Sequence, residues 1–256
     1  MSKTNSFPAS VLIYGIRLAN LSMDDVLSAI DAALVSKTRC RITFVNADCV
    51  NIAAKNNDYK KDLDQMDWVF IDGIGMKIAG IILNQPVRSN VNGTDLFPLL
   101  CKNLAKQGGS LYLLGAKPGV ADAVAKWAID QFPGIVIAGS QHGYFAKGEA
   151  ESVVAKIHDS HADVLLVAMG APQQEAWINR YMQSTGSVIA IGVGGLFDYY
   201  SGNIPRAPYW MRKSGLEWLF RLIQEPKRLG GRYLIGNWTF LARIIYSKLF
   251  SGAFKG

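Results

Sequence analysis

Three groups of residues in this chain could do chemistry. The first is a carboxylate, Asp72, which ends the apolar run Trp68–Ile71 and is followed by Gly73. A carboxylate at the end of a buried strand is poorly solvated, and desolvation raises its pKa and suits it to accept a proton. Capping the next helix is the competing use of Asp at such a place. The second group lies in loops that also follow apolar runs: Asn46, Gly115-Ala-Lys-Pro-Gly119, Gly170-Ala-Pro172-Gln-Gln174 and the stretch from Gly192 through Gly194 to Asp198. Glycine lets backbone amides approach a ligand and frees a helix N-terminus for phosphate. Any one of these loops is explained by chain reversal alone, whereas these four together with Asp72-Gly73, five in all, suit a nucleotide-sized ligand. Asp95 follows Gly93-Thr94 at a helix start, where it reads as a cap.

The third group is the set of arginines near the C-terminus. From Asn203 onward there are ten Lys/Arg against only Glu217 and Glu225, a net of +8, while the whole chain is +7, so residues 1–202 stand at −1. Ten of the 27 aromatic residues share that tail. Such asymmetry points to an anionic partner: nucleic acid, a membrane surface or a phosphorylated substrate. Ser214 and Glu217 have capping-box spacing, which predicts a helix start there. Leu216, Leu219, Phe220 and Ile223 then fall on one stripe, with Glu217 and Arg221 a turn apart. Pro226 breaks or restarts the helix, Arg228 and Arg232 follow at i, i+4, and Trp238–Phe250 forms a last amphipathic segment. Amphipathic helices with aromatics and flanking cations favour an anionic bilayer interface.

These groups must be positioned by a scaffold. Apolar runs at 42–45, 68–71, 110–114, 135–138, 164–167 and 188–191 alternate with helical stretches at 47–55, 76–83, 94–106, 120–131, 149–160 and 173–182. Non-alternating strands separated by single helices predict an α/β fold, a Rossmann-like and mostly parallel sheet covered on both faces. Ligands of such folds bind at the carboxyl ends of the strands, where the loops above fall. Residues 1–10 read as a loose leader, 11–202 as the catalytic body, and 203–256 as a basic amphipathic appendage acting as membrane contact and lid.

Several classes are excluded. Gly73-Ile-Gly75 and Gly192-Val-Gly194 lack the third glycine of a dinucleotide fingerprint, and no P-loop motif occurs. Cys40, Cys49 and Cys101 are unpatterned, and His158 and His161 have no companions at ligand spacing, so no metal or disulfide frame is expected. No apolar run reaches membrane-spanning length.

Loops and tail together resemble the bacterial WecG/TagA/CpsF glycosyltransferase family. The matching stretches are IDGIGM at 71–76, NGTDLF at 92–97, LLGAKPGV at 113–120, GYF at 143–145 and GAPQQEAWI at 170–178. GVGGLFDYYSGNIPRAP at 192–208 and GLEWLFRLIQEPKRLGGRY at 215–233 complete the set. The resemblance implies inverting, metal-independent transfer without a cofactor, from a UDP-sugar to a polyprenyl-diphosphate-linked sugar. The enzyme would work peripherally at the cytoplasmic face of the plasma membrane. Asp72 would be the general base, Asn46, Gln174 and Asp95 would meet the sugars, and Arg221, Arg228 and Arg232 would clamp the UDP diphosphate. The glycine loops, with Gly115, Gly170, Pro172, Gly194 and Asp198, would hold the nucleotide.

Two departures bear on the donor: Phe44 stands where many members have Thr, and Asn90 where many have Arg. FVNADC and NVNGTDLF look closer to exopolysaccharide enzymes of the xanthan type, so a hexose such as glucose is the expected donor. The alternative is an N-acetylmannosamine or N-acetylmannosaminuronic acid transferase of teichoic-acid or enterobacterial-common-antigen type. A nucleic-acid-binding module is the alternative of another class, disfavoured by the neutral body, and a non-catalytic membrane scaffold is a third. Homo-oligomerisation is left open.

Overall fold

The computed structural model describes residues 9–250. Most of the expected leader and the last six residues of the tail lie outside that range.

A hairpin opens the chain, β1 (Ser10–Ile13) and β2 (Ile16–Ala19), turned by Tyr14 and Gly15 at positive φ. Helix α1 (Met23–Ser36) follows a capping box in which Ser22 and Asp25 satisfy each other's backbone N–H groups. Then come β3 (Cys40–Val45), α2 (Ala47–Ala53), α3 (Asn57–Gln65), β4 (Trp68–Ile71), α4 (Ile74–Ile82) and α5 (Gly93–Gln107). The second half of the body runs β5 (Ser110–Gly115), α6 (Val120–Gln131), β6 (Val136–Gln141), a 3₁₀ turn, α7 (Ala150–Asp159), β7 (Val164–Ala168), α8 (Gln173–Thr185) and β8 (Ile189–Gly192). The remainder is helical: α9 (Leu196–Tyr200), α10 (Tyr209–Lys213), α11 (Glu217–Gln224), α12 (Pro226–Gly230), a π turn over Gly231–Ile235, and α13 (Gly236–Phe250).

The eight strands form one sheet in the order β1-β2-β4-β3-β8-β7-β5-β6. Only the β1–β2 pair is antiparallel. The expected mostly parallel α/β sheet is therefore present, with an added hairpin at one edge. Strands β3, β4, β7 and β8 are almost wholly apolar because both of their faces are covered. Two core clusters result, one on each side of the sheet. One packs α1, α5 and α6 against residues such as Ile42, Phe70, Leu113 and Ile191. The other packs α2, α3, α7 and α8 against Val45, Ile71, Leu114 and Ala190.

That second cluster also contains Phe240 and Ile244 of α13, at 1% and 0% exposure. The C-terminal segment is thus joined to the body by a shared core as well as by surface contacts. At Gly75 a side-chain carbon would come 3.6 Å from the Phe240 ring, so α4 and α13 approach closely there. The Asn51 side-chain amide adds a hydrogen bond to the Gly236 carbonyl (2.8 Å).

Candidate active site

Strands β3 and β4 run parallel with Val45 opposite Ile71. The residues that follow them, Asn46 and Asp72, therefore leave the sheet side by side. Asn46 caps α2, its side-chain oxygen accepting from the N–H groups of Asp48 (3.0 Å) and Cys49 (3.2 Å). The same side chain hydrogen-bonds the Asp72 carboxylate. Behind Asp72, Gly73 adopts a left-handed φ of 90°, and its N–H donates to Asn90 Oδ1 at 2.6 Å. The acid is fixed by backbone geometry on both sides.

Above it lies a cavity of about 440 Å³, a size suited to a small-molecule ligand. Its polar lining comes from the strand ends and the start of α5: Asn46, Asp48, Asp72, Asn90, Asn92 and Thr94. Its roof comes from the C-terminal segment: Arg212, Glu217, Trp218, Arg221, Arg232 and Tyr233. Burial pushes the Asp72 carboxyl up to about 6; the Asn46 hydrogen bond and Arg232 pull it down, while Glu217 and Asp95 push it further up. Desolvation wins, and the carboxyl stands well above the ordinary carboxylate range, which suits it to accept a proton.

Each tail arginine near the cavity is met by an acid. Arg221 lies 3.8 Å from Asp198 and 3.6 Å from Glu225, and its guanidinium covers the Tyr199 ring at 5.0 Å. It also lies over Gly195, where a side-chain carbon would come within 2.6 Å of it. Arg232 reaches Asp48 at 3.0 Å. Arg228, half exposed, pairs with Glu225 (2.9 Å) and Asp198 (3.8 Å). The Nε atoms of Arg221 and Arg232 are the ones that face these carboxylates, Glu225 at 3.6 Å and Asp48 at 3.0 Å, as ion pairs without hydrogen-bond geometry. Partly buried guanidinium groups of this kind, with several donors each, are suited to phosphate oxygens.

Of the residues expected from sequence, Asp72, Asn46, Arg221 and Arg232 come together around the cavity. Asp198 stands behind Arg221 and Arg228 as their counter-charge. Asp95 holds the tail: its carboxylate takes Arg206 at 2.8 Å and Arg212 at 3.4 Å. Burial alone would raise its pKa, but hydrogen bonds from Asn92 and Arg206 and the two guanidinium charges hold it below the ordinary carboxylate value. Gln174 is 4% exposed and works as a buckle. Its oxygen accepts from the Gly194 N–H (2.9 Å), and its nitrogen donates to Glu175 (2.9 Å), which also accepts from Thr43 (2.6 Å).

Gly115, Gly170, Pro172 and Gly194 sit at the carboxyl ends of β5, β7 and β8, outside the lining of this cavity. Gly115 has φ 133°, and a side-chain carbon there would lie 2.4 Å from the Ala168 carbonyl oxygen. Packing of β5 on β7 is enough to require that glycine. Phe44, one of the two departures, is buried against Phe70 and Gly93 and does not line the cavity. Asn90, the other departure, lines the cavity.

The capping box expected at Ser214 is not formed. Ser214 ends α10, its hydroxyl donating to the Met211 carbonyl (3.1 Å), and Gly215 turns the chain at φ 75°. Glu217 begins α11 without a side-chain cap, lines the cavity, and lies 3.5 Å from Arg206. Arg221 pairs toward the C-terminus, with Glu225, where the expected partner was Glu217. The stripe of α11 is only partly covered, and Ile223 remains 66% exposed. Sequence reasoning also missed Tyr199, Trp218, Tyr233 and Trp238 as cavity residues. Their one signal is the concentration of aromatics around the tail arginines.

With this geometry in place, likeness to known proteins becomes informative. Residues 11–253 match the profile of the glycosyl transferase WecG/TagA/CpsF family. Three curated relatives carry the same description, N-acetylglucosaminyldiphosphoundecaprenol N-acetyl-beta-D-mannosaminyltransferase. That of Bacillus subtilis (strain 168) is 33% identical over 218 residues, covering 84% of each chain. That of Staphylococcus aureus (strain MW2) is 32% identical over 225 residues, covering 87% of each. That of Bacillus spizizenii is 36% identical over 177 residues, covering 69% of this chain and 68% of the relative.

Proposed function

The chain belongs to the WecG/TagA/CpsF family of glycosyl transferases, and from that premise we propose that it transfers an N-acetylmannosaminyl group from a UDP-sugar to N-acetylglucosaminyl-diphosphate-polyprenol. The observation that carries this reading is the placement of a desolvated carboxylate, Asp72, beneath a roof that supplies partly buried guanidinium groups.

Asp72 takes the proton from the acceptor hydroxyl as that oxygen attacks the anomeric carbon. The bond from that carbon to the diphosphate breaks on the opposite face, so the configuration inverts. Negative charge grows on the departing diphosphate, and Arg221 and Arg232 receive it with donors fixed in advance. Loss of one such donor typically lowers the rate about 10²–10³-fold. Arg228 and the glycine loops at Gly115, Gly170, Pro172 and Gly194 extend the nucleotide site in this reading, and Gln174 and Asp95 act from behind it. Asn46 orients the base and meets the sugar.

The donor is drawn from the named activity of three relatives, which favours N-acetylmannosamine over the glucose expected from the FVNADC and NVNGTDLF forms. The burial of Phe44 removes one of the two arguments against it. Among the described residues no helix is long and apolar enough to cross a membrane. The enzyme meets the bilayer peripherally in this reading, through exposed tail side chains such as Tyr209, Trp210, Tyr246 and Leu249.

A panel of UDP-N-acetylmannosamine, UDP-glucose, UDP-galactose and UDP-N-acetylmannosaminuronic acid with that acceptor tests the donor. Asp72→Asn is expected to abolish transfer while UDP still raises the melting temperature. Normal turnover by this variant would remove Asp72 from the mechanism.

A further inference from the structure

The lining of the cavity changes character from element to element. Strand ends and tail arginines make it polar, but α4 contributes Ile74 and Ile78, and the tail faces them with Leu234 and Trp238. Ile78, Leu234 and Trp238 are 38%, 59% and 74% exposed, so they stand where the cavity opens to solvent. Ile81, one turn further along, is 72% exposed. Ile74, Ile78 and Ile81 recur at i, i+4 and i+7 and so form a single row on α4. The row begins inside the site and runs out of it.

Core packing does not account for this row. The tail clasps the first turn of α4, where Gly215 seats on Ile74 and Phe240 lies against Gly75. Beyond that clasp the isoleucines face solvent, although apolar surface left in water is unfavourable by about 25 cal/mol per Å². A bilayer lying against the molecule could cover Ile81, but Ile74 and Ile78 line the wall of the cavity that holds Asp72. Something that enters the cavity must cover them.

We propose that the groove between the α4 isoleucine row and Leu234 and Trp238 seats the first isoprene units of the acceptor's own lipid chain. The inference rests on the transferase reading above and adds the place where the acceptor's lipid lies. In a sugar-diphosphate-polyprenol the attacking hydroxyl, the diphosphate and the lipid form one covalent string. With the hydroxyl at Asp72, only one sugar and one diphosphate separate the base from the first isoprene. The string must therefore leave the cavity along a wall that accepts hydrocarbon, and among the described residues the α4 row is the wall that leads from Asp72 to solvent. The groove would give the enzyme a preference for acceptors with a lipid tail that is independent of any membrane.

The test is calorimetric binding to the full chain in buffer free of vesicles and detergent. The probes are N-acetylglucosaminyl diphosphate carrying a farnesyl group and the same compound carrying an ethyl group. Burying part of three isoprenes is expected to make the farnesyl compound bind about tenfold tighter or more. In the Ile78→Ser/Trp238→Ser double variant that ratio is expected to fall below about threefold. Ile81→Ser, at a more exposed position, gives a smaller fall and covers the case in which the double variant folds poorly. Equal binding of the two probes by the natural chain overturns the proposal. So does a ratio that survives in the variants while they lose only co-sedimentation with anionic vesicles, because the row would then be a bilayer contact. A farnesyl preference without sugar transfer from any donor of the panel would support the groove and sink the transferase reading instead.

Discussion

At the scale of single residues, the state of Asp72 sets the chemistry in the proposed transfer. Its pKa of about 6 comes mainly from burial. The base must be ionised to work, so kcat is expected to fall as pH drops through about 6 and to level off above it; a rate profile measured between pH 5 and 8 checks this. The same shift has a stability consequence of opposite sense. Between its ordinary value of 3.8 and about 6 the folded chain holds this proton more tightly than the unfolded chain, so stability declines as pH rises through that window. At pH 7.5 Asp72→Asn should therefore raise the melting temperature by about 2–4 °C, taking on the order of 1 kcal/mol for a partly solvent-exposed group. Gln174 makes the contrasting case. Its amide is used on both sides, by Gly194 and Glu175. Gln174→Ala is expected to lower stability by about 1–3 kcal/mol, read from urea melts. Loss of transfer with unchanged melts would return Gln174 to the sugar.

At the scale of elements, the central strands and their helices were legible because continuous apolar runs have few alternative readings. Residues 10–36 were not assigned from sequence. The hairpin strands are four residues each and alternate buried with exposed positions, too short for the period to stand out. Helix α1 did carry a signal, since Ser22 and Asp25 have capping-box spacing ahead of Val26 and Ile30. At Ser214 the same spacing misled, because a following glycine at positive φ ended one helix there. Asp72, Asn46, Arg221 and Arg232 could be singled out from sequence as strand-end groups and tail cations. Their cavity could not, because Asn90, Glu217 and Tyr233 reach it only through the order of the strands and the path of the tail. Element packing also gives its own prediction at Gly115. Its left-handed backbone and the Ala168 carbonyl leave no room for a methyl group. Gly115→Ala should lower stability by about 3 kcal/mol or more whether or not a nucleotide binds nearby, which chemical denaturation without ligand would reveal.

At the scale of the whole molecule, a net of −1 in residues 1–202 and +8 beyond them suggests two separable parts. Phe240 and Ile244 argue for a tighter union, since both are buried in a core shared with β3, β4 and α2. Burying two such side chains contributes about 3–6 kcal/mol, a large part of the 5–15 kcal/mol that holds a typical domain together. Truncation after Gly202 is thus expected to abolish transfer and to lower the melting temperature sharply, as calorimetry would show. A truncated body with an unchanged melting temperature would mean that the tail is a detachable lid.

The pairing of Arg221, Arg228 and Arg232 with Asp198, Glu225 and Asp48 has a consequence for turnover. In the proposed transferase, an arriving diphosphate would have to compete with carboxylates already beside the arginines. Those carboxylates would close again on the guanidinium groups when the spent nucleotide leaves. Binding and release then become an exchange of one set of anions for another. A stray phosphate that satisfies only one arginine gains little from that exchange. A ligand that spans two arginines and also reaches Asp72 gains enough to open it, so the resting ion pairs filter what the site admits.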